Sequence, residues 1–242
     1  MRTTTRGRRF RVIDGFLSEP GWDSVQRAAA EVAFDPMPSV VDAEVDGIAY
    51  RSAGSVVEHD AVEGSAGGRA LPLAGYLEVL REAARHEDLF GTAGRDWTFL
   101  GLSFWCYPAG SRLGWHNDAG VRRRGEFVLF LHEGWASSWG GELMILDVDP
   151  DDLGAVGEEL SPFEASAARV DSSDECLVAI VPKPNRLVLV QEGTIHCIRR
   201  VDEAAGTHVR RTMTGFLSSR EPAQRRPERQ SAQRLATLLG SG

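Results

Sequence analysis

Along the chain, apolar and polar positions change rhythm at about residue 97. Before that point the pattern is mixed. FRVIDGFL, residues 10–17, predicts a strand, and Ser18 with Glu19 and Pro20 offers a helix start that the alanine-rich WDSVQRAAAEVAF continues. A second helix is predicted over about 74–86, where Leu77, Leu80 and Ala84 recur at helical spacing. The intervening stretch EVDGIAYRSAGSVVEHDAVEGSAGG is glycine-rich loop, with a strand near Ile48 to Ser52.

From Trp97 onward the chain breaks into short β-like runs split by glycine and proline: WTFLGLSFWCYP, GEFVLFLHE, GELMILDV, ECLVAIVP, NRLVLVQ, IHCIRRV and HVRRTMTGFLS. Seven such runs predict an all-β sandwich or barrel with the N-terminal helices packed on its outside. Residues 147–175 interrupt the series with an acidic, loop-like insertion. Its DVDPDDLGAVGE sets Asp147, Asp149, Asp151 and Glu158 at positions 1, 3, 5 and 12 of a calcium loop. Position 6, which needs glycine, is Asp152, and no helices are predicted to flank the loop, so calcium is rejected. The tail from 218 to 242 is polar and proline-broken, with one short helix predicted over about 228–239 and no chemistry assigned to it.

Composition narrows the picture without changing it. A chain of 242 residues, 42% of them hydrophobic, can bury one sizeable core, so one domain over residues 1–217 is expected: helical support over 1–96 and a β core over 97–217. A net charge of -8 argues against a nucleic-acid-binding surface. Cys106, Cys176 and Cys197 lack paired metal spacing and are read as core residues of a reducing compartment. The N-terminal MRTTTRGRRFRV is basic, but no apolar signal region follows, and no apolar run is long enough to cross a membrane. The expectation is a soluble, cytoplasmic protein.

The candidate chemistry starts at LGWHNDAG, residues 113–120. In an extended segment, side chains at i and i+2 point to one side, so His116 and Asp118 can converge on a point that a metal ion would fit. IHCIRRV supplies His196 at the start of a later β-like run. Two histidines and a carboxylate on a β scaffold make the facial triad of non-haem Fe(II) oxygenases, whereas a structural zinc site is closed and richer in cysteine.

In order, WHND, WGGEL (139–143), PKPNRLVLV (182–190), IHCIRRV and VRRTMTGF give residues 97–217 a pattern that resembles the iron(II)- and 2-oxoglutarate-dependent dioxygenases of the prolyl-hydroxylase-like branch. The resemblance implies a double-stranded β-helix core, of jelly-roll or cupin-like type, packed against the N-terminal helices. It implies His116, Asp118 and His196 as iron ligands. It makes Arg210, in an R-x-S/T arrangement with Thr212, the partner of the far carboxylate of 2-oxoglutarate, and sets Tyr107 beside that cosubstrate. A planar guanidinium suits the task, since it can bind a carboxylate through two parallel hydrogen bonds. Where some relatives carry a second tyrosine on the strand after H-x-D, this chain has Phe130. The carboxylate at Asp118 favours oxygen insertion over halogenation.

The implied cofactors are Fe(II), 2-oxoglutarate and O2, with ascorbate as a stimulant. The implied reaction is hydroxylation of an unactivated C–H bond with decarboxylation of 2-oxoglutarate to succinate and CO2. A small molecule, such as an amino acid or natural-product intermediate, is the expected substrate. VRRRG, with Arg122 to Arg124 just after H-x-D, suggests an anionic or carrier-tethered one. The alternatives are a peptidyl, prolyl-type hydroxylase and a non-catalytic or 2-oxoglutarate-independent cupin-like metal protein. The insertion 147–175 and the glycine-rich segment 43–70 are candidate lids.

Overall fold

The computed structural model describes residues 3–60 and 74–220. Helix α1 (Glu19–Glu31) starts where Ser18 accepts a hydrogen bond from the Gly21 amide, and its buried Val25 and Ala29 pack on Val79, Leu80 and Ala83 of α2 (Ala74–Ala84). The two helices approach closely because Gly75 has no side chain: a Cβ there would lie 2.7 Å from the Gly21 carbonyl oxygen. A short helix, α3 (Glu87–Phe90), follows.

All seven β-like runs after Trp97 contain strands: β6 (Phe99–Tyr107), β8 (Arg123–Phe130), β9 (Leu143–Leu146), β10 (Leu177–Ile180), β11 (Leu187–Gln191), β12 (His196–Ile198) and β13 (Arg210–Ser218). The expected early strands are present as β2 (Phe10–Asp14) and β4 (Ile48–Ser52). Four further strands carry weaker patterns: β1 (Thr3–Arg6), β3 (Phe34–Pro38), β5 (Ser55–Glu58) and β7 (Leu113–His116). The prolines of β3 fit its place at the sheet edge, where an amide is not needed for a further ladder.

Among the described residues the strands form two antiparallel sheets. The larger, of nine strands, runs β1-β2-β11-β8-β13-β6-β4-β3, with β5 also on β6; the smaller runs β10-β9-β12-β7. Period-2 alternation in the larger sheet feeds two cores. Phe127, Leu129, Leu187, Leu189, Met213 and Leu217 pack toward α1 and α2, while Val128, Phe130, Val188 and Val190 face Leu143 and Ile145 of the smaller sheet. The space between the sheets is where the chemistry collects.

The insertion 147–175 differs from the loop-like expectation, because it contains α4 (Pro162–Ser172). Ser161 and Glu164 form a capping box with proline in the first turn, a helix-start signature that SPFE carries within the acidic segment. The described part of segment 43–70 is tied into the larger sheet by β4 and β5. The helix predicted over 228–239 lies outside the described residues. No helix among the described residues is long and apolar enough to cross a membrane.

Candidate metal centre

Strands β7 and β12 pair so that His116 and His196 sit directly opposite, their ring centroids 4.2 Å apart. Each ring is turned by its own backbone: Nδ1 of His116 donates to the Gly114 carbonyl at 2.8 Å, and Nδ1 of His196 donates to the Thr194 carbonyl at 2.9 Å. Both Nε2 atoms are therefore aimed at a common point. Asp118 Oδ2 completes the group, 3.4 Å from Nε2 of His116 and 3.6 Å from Nε2 of His196. One ligand atom from each residue lies within 4.8 Å of the others.

Simple strand alternation does not account for this convergence. β7 ends at His116, and Asp118 has φ 47°, in the left-handed region that aspartate tolerates better than most residues. The carboxylate is brought back by a turn. Burial opposes its charge, but hydrogen bonds from the two histidines hold its pKa well below the ordinary carboxylate value. Burial likewise opposes charge on His196, yet Glu126 and Asp118 together raise its pKa well above normal.

Supports for the triad came from residues that the sequence did not single out. Asp46, fully buried, accepts from the Gly114 amide at 3.0 Å, from Arg112 Nε at 2.7 Å and from the Ser39 hydroxyl at 2.6 Å, which locks the backbone that orients His116. Arg9 Nε donates to the Thr194 hydroxyl at 2.9 Å and steadies the loop that orients His196. Glu126 places Oε1 3.0 Å from Nε2 of His196. It sits on the inward register of β8 with Val128 and Phe130, and that alternation could have marked it.

Farther along the same interior lies Arg210, 0% exposed and paired in register with Tyr107. Its Nε donates to the Gly141 carbonyl at 2.7 Å, while Nη1 and Nη2 have no partner among the described residues. Gly141, at φ 70°, is needed here: a Cβ would press to 3.0 Å from the Arg210 side chain. The guanidinium carbon lies 4.9 Å from the Phe130 ring and 5.5 Å from the Tyr107 ring. Burial lowers the Arg210 pKa to about 10, with Tyr107 and Glu142 opposing. Burial also raises the Tyr107 pKa. Thr212 is buried two residues along the same face, opposite Phe130. His132, read from sequence as an ordinary residue, is buried beside Phe130 and Trp135, and burial with the charge of Arg210 lowers its pKa to about 4.

The three arginines of VRRRG do not form a free cationic cluster. Arg123 binds Asp118 Oδ1 at 3.2 Å and its backbone oxygen at 3.1 Å, and Arg124 is turned toward Asp96, which leaves Arg122 exposed.

Comparison with known proteins gives the same direction as the geometry. Residues 102–218 match the family model described as the 2OG-Fe(II) oxygenase superfamily. No curated protein sequence matches the chain. Among solved structures, a Pseudomonas putida prolyl-4-hydroxylase is 19% identical, with 88% of this chain and 94% of that one covered at a TM-score of 0.56. A 2OG-Fe(II) oxygenase-family oxidoreductase from Burkholderia pseudomallei is 15% identical, covering 90% and 88%, at 0.54. HygX from Streptomyces hygroscopicus, solved with nickel, 2-oxoglutarate and hygromycin B, is 10% identical, covering 89% and 85%, at 0.54. The shared fold is the double-stranded β-helix.

Proposed function

Because residues 102–218 match the 2OG-Fe(II) oxygenase superfamily, oxidoreductases that use Fe(II), 2-oxoglutarate and O2, we propose that this chain hydroxylates an unactivated C–H bond of a small molecule. In this reading His116, Asp118 and His196 hold Fe(II), and Arg210 holds the far carboxylate of 2-oxoglutarate, with Thr212 and Tyr107 beside it.

The observation that carries the reading is the pair of buried, unpartnered Nη atoms on Arg210. Leaving both Nη atoms of a buried guanidinium without acceptors is disfavoured, and their planar fork matches a carboxylate. The donor set of two imidazoles and one carboxylate fits Fe(II) equally well. When bound, the iron and cosubstrate supply oxygen activation, with 2-oxoglutarate leaving as succinate and CO2.

The chain's own contribution is placement. The Gly114 and Thr194 carbonyls fix both imidazoles, Arg123 steadies Asp118, and the Gly141 carbonyl aims the Arg210 fork. Val128, Phe130, Leu143, Ile145 and Val190 keep water from the wall between the sheets. His132 is neutral near pH 7, so it adds no charge to compete with Arg210 for an acceptor.

Support for a small substrate comes from the shared fold of HygX, whose structure holds hygromycin B, while the Pseudomonas putida neighbour is a prolyl-4-hydroxylase. Anaerobic addition of Fe(II) and 2-oxoglutarate to the apo-protein tests the cofactor assignment: a visible charge-transfer band should appear with both and with neither alone. Succinate release across a library of small molecules and proline-containing peptides then decides the substrate class. Turnover with peptides alone would replace the small-molecule reading.

A further inference from the structure

Glu126 is a buried acid whose ion pair among the described residues is with His196, a partner it shares with Asp118. It is 7% exposed on β8, and its cross-strand neighbours are Val190 and Phe216. The nearby arginines are engaged elsewhere, Arg123 with Asp118 and Arg124 with Asp96. Once a metal takes Nε2 of His196, that nitrogen carries no proton for Glu126, and a buried carboxylate left bare is disfavoured unless a positive charge stands near it.

The nitrogen that Glu126 faces is the one left for a metal, because Nδ1 of His196 is held by Thr194. Its 3.0 Å contact with that nitrogen is shorter than the 3.6 Å from Asp118. A metal–nitrogen bond is about 2 Å long, so an ion on Nε2 would lie no farther than about 5 Å from the Glu126 oxygen, whichever way the bond points. At that range, in a buried setting, a carboxylate and a divalent cation interact strongly, either directly or through one water.

Resting on the iron site proposed above, we propose that Glu126 is a second carboxylate of the metal centre: it strengthens divalent-cation binding beyond what the triad provides and, by the same charge, opposes the entry of the 2-oxoglutarate dianion. The two effects have opposite signs, and a merely structural role would not produce both.

The test uses the full chain, metal-free, titrated with Mn(II) or Co(II) under argon in the absence of 2-oxoglutarate. Glu126→Gln keeps the shape and removes the charge. It should weaken metal binding by about 10- to 100-fold, the range found when groups supporting metal ligands are lost. Glu192→Gln is the control, since Glu192 is a half-buried acid that accepts from the Gly120 amide at 3.3 Å. It should leave metal affinity unchanged. 2-Oxoglutarate titrated into the Co(II)-loaded Glu126→Gln protein at saturating metal should bind more tightly than to wild type.

Unchanged or tighter metal binding in Glu126→Gln would overturn the proposal and show that Glu126 only occupies His196. Should the glutamine variant fail to fold, Glu126→Thr provides the same comparison with a smaller side chain. His116→Ala separates the two levels of argument. If it leaves wild-type metal affinity intact, the iron site itself is wrong. If it abolishes binding while Glu126→Gln does not weaken it, only the role of Glu126 falls.

Discussion

In the larger sheet, Arg210 and Tyr107 begin a register between β13 and β6 that runs unbroken through nine residue pairs to Ser218 and Phe99. In the smaller sheet, His116 and His196 face each other across a pairing that shifts within two residues. The proposed anion end of the interior is thus placed by long strands packed on both faces, and the proposed metal end by short strands whose side chains are aimed through local backbone hydrogen bonds. Two kinds of fragility follow. Damage to the larger sheet should appear first as lost stability, and damage to the smaller one first as lost geometry.

The sharpest challenge to that division is Phe127→Ala. Phe127 is fully buried between β8 and the helices, and a cavity of that size typically costs about 3–5 kcal/mol. Denaturant unfolding should show a loss in this range, while the folded fraction retains its affinity for Mn(II). A variant that is stable yet metal-blind would mean that the helix-facing core also sets the metal geometry.

Next in size is a pH effect at the anion end. His132 has its pKa lowered from 6.5 to about 4 in the fold, so the unfolded chain binds more protons between those values. Stability should be fully present above about pH 6.5, fall as pH drops toward 4, and change no further through this group below that. The maximum contribution is about 3 kcal/mol. His132→Leu should flatten this part of the stability–pH curve, and an unchanged slope would assign the acid sensitivity to other groups.

If Arg210 holds 2-oxoglutarate as proposed, Arg210→Met should remove a charge-assisted contact worth roughly 1.5–3 kcal/mol, or about 10- to 150-fold in 2-oxoglutarate affinity. Arg211, which alternates to the other face of β13, should tolerate the same change with little effect. Anaerobic titration of both variants decides between them. A large loss in Arg211→Met with none in Arg210→Met would reverse the facing of the strand.

The metal end is probed by Asp46→Ala, which frees the Gly114 amide and leaves Arg112 without its acceptor. Metal affinity should fall by about 10- to 100-fold, as for other groups that orient metal ligands. Affinity equal to wild type would mean that the Gly114 carbonyl needs no such anchor.

The same contrast explains what could be read in advance. Arg210, Thr212 and Tyr107 lie on long strands, where alternation alone assigns faces, and the split of β13 into a helix-facing side with Met213 and Leu217 and an inward side with Arg210 and Thr212 was legible. His116 and His196 were legible as a pattern, but the route by which Asp118 joins them was not, because a left-handed residue breaks the period-2 rule. Asp46 and Arg9 were illegible for a different reason. Each acts from far along the chain, 68 residues from Gly114 and 185 from Thr194, through bonds that no local periodicity encodes. Helix α4 was written in SPFE but hidden by its acidic surroundings, and β3 was hidden by its prolines.

The smallest expected effect concerns that helix and bears on how local the metal end is. The Ser161 hydroxyl accepts from the Glu164 amide at 3.3 Å, and the Glu164 carboxylate accepts from the Ser161 amide at 2.9 Å. Val170 of α4 joins Trp115, Leu146 and Ile195 in a cluster on the outer side of the smaller sheet, where Trp115 alternates with the inward His116. Ser161→Ala should therefore loosen the covering helix and lower stability by about 1 kcal/mol, seen as a fall of about 2–4 °C in Tm for a chain of this size. If the Gly114 and Thr194 carbonyls are what aim the imidazoles, Mn(II) affinity should stay within about twofold of wild type, since the cap and the ligands share no partner. A tenfold loss of metal affinity, equivalent to about 1.4 kcal/mol, would show that α4 holds β7 in place, and the metal end would then depend on packing in the same way as the anion end.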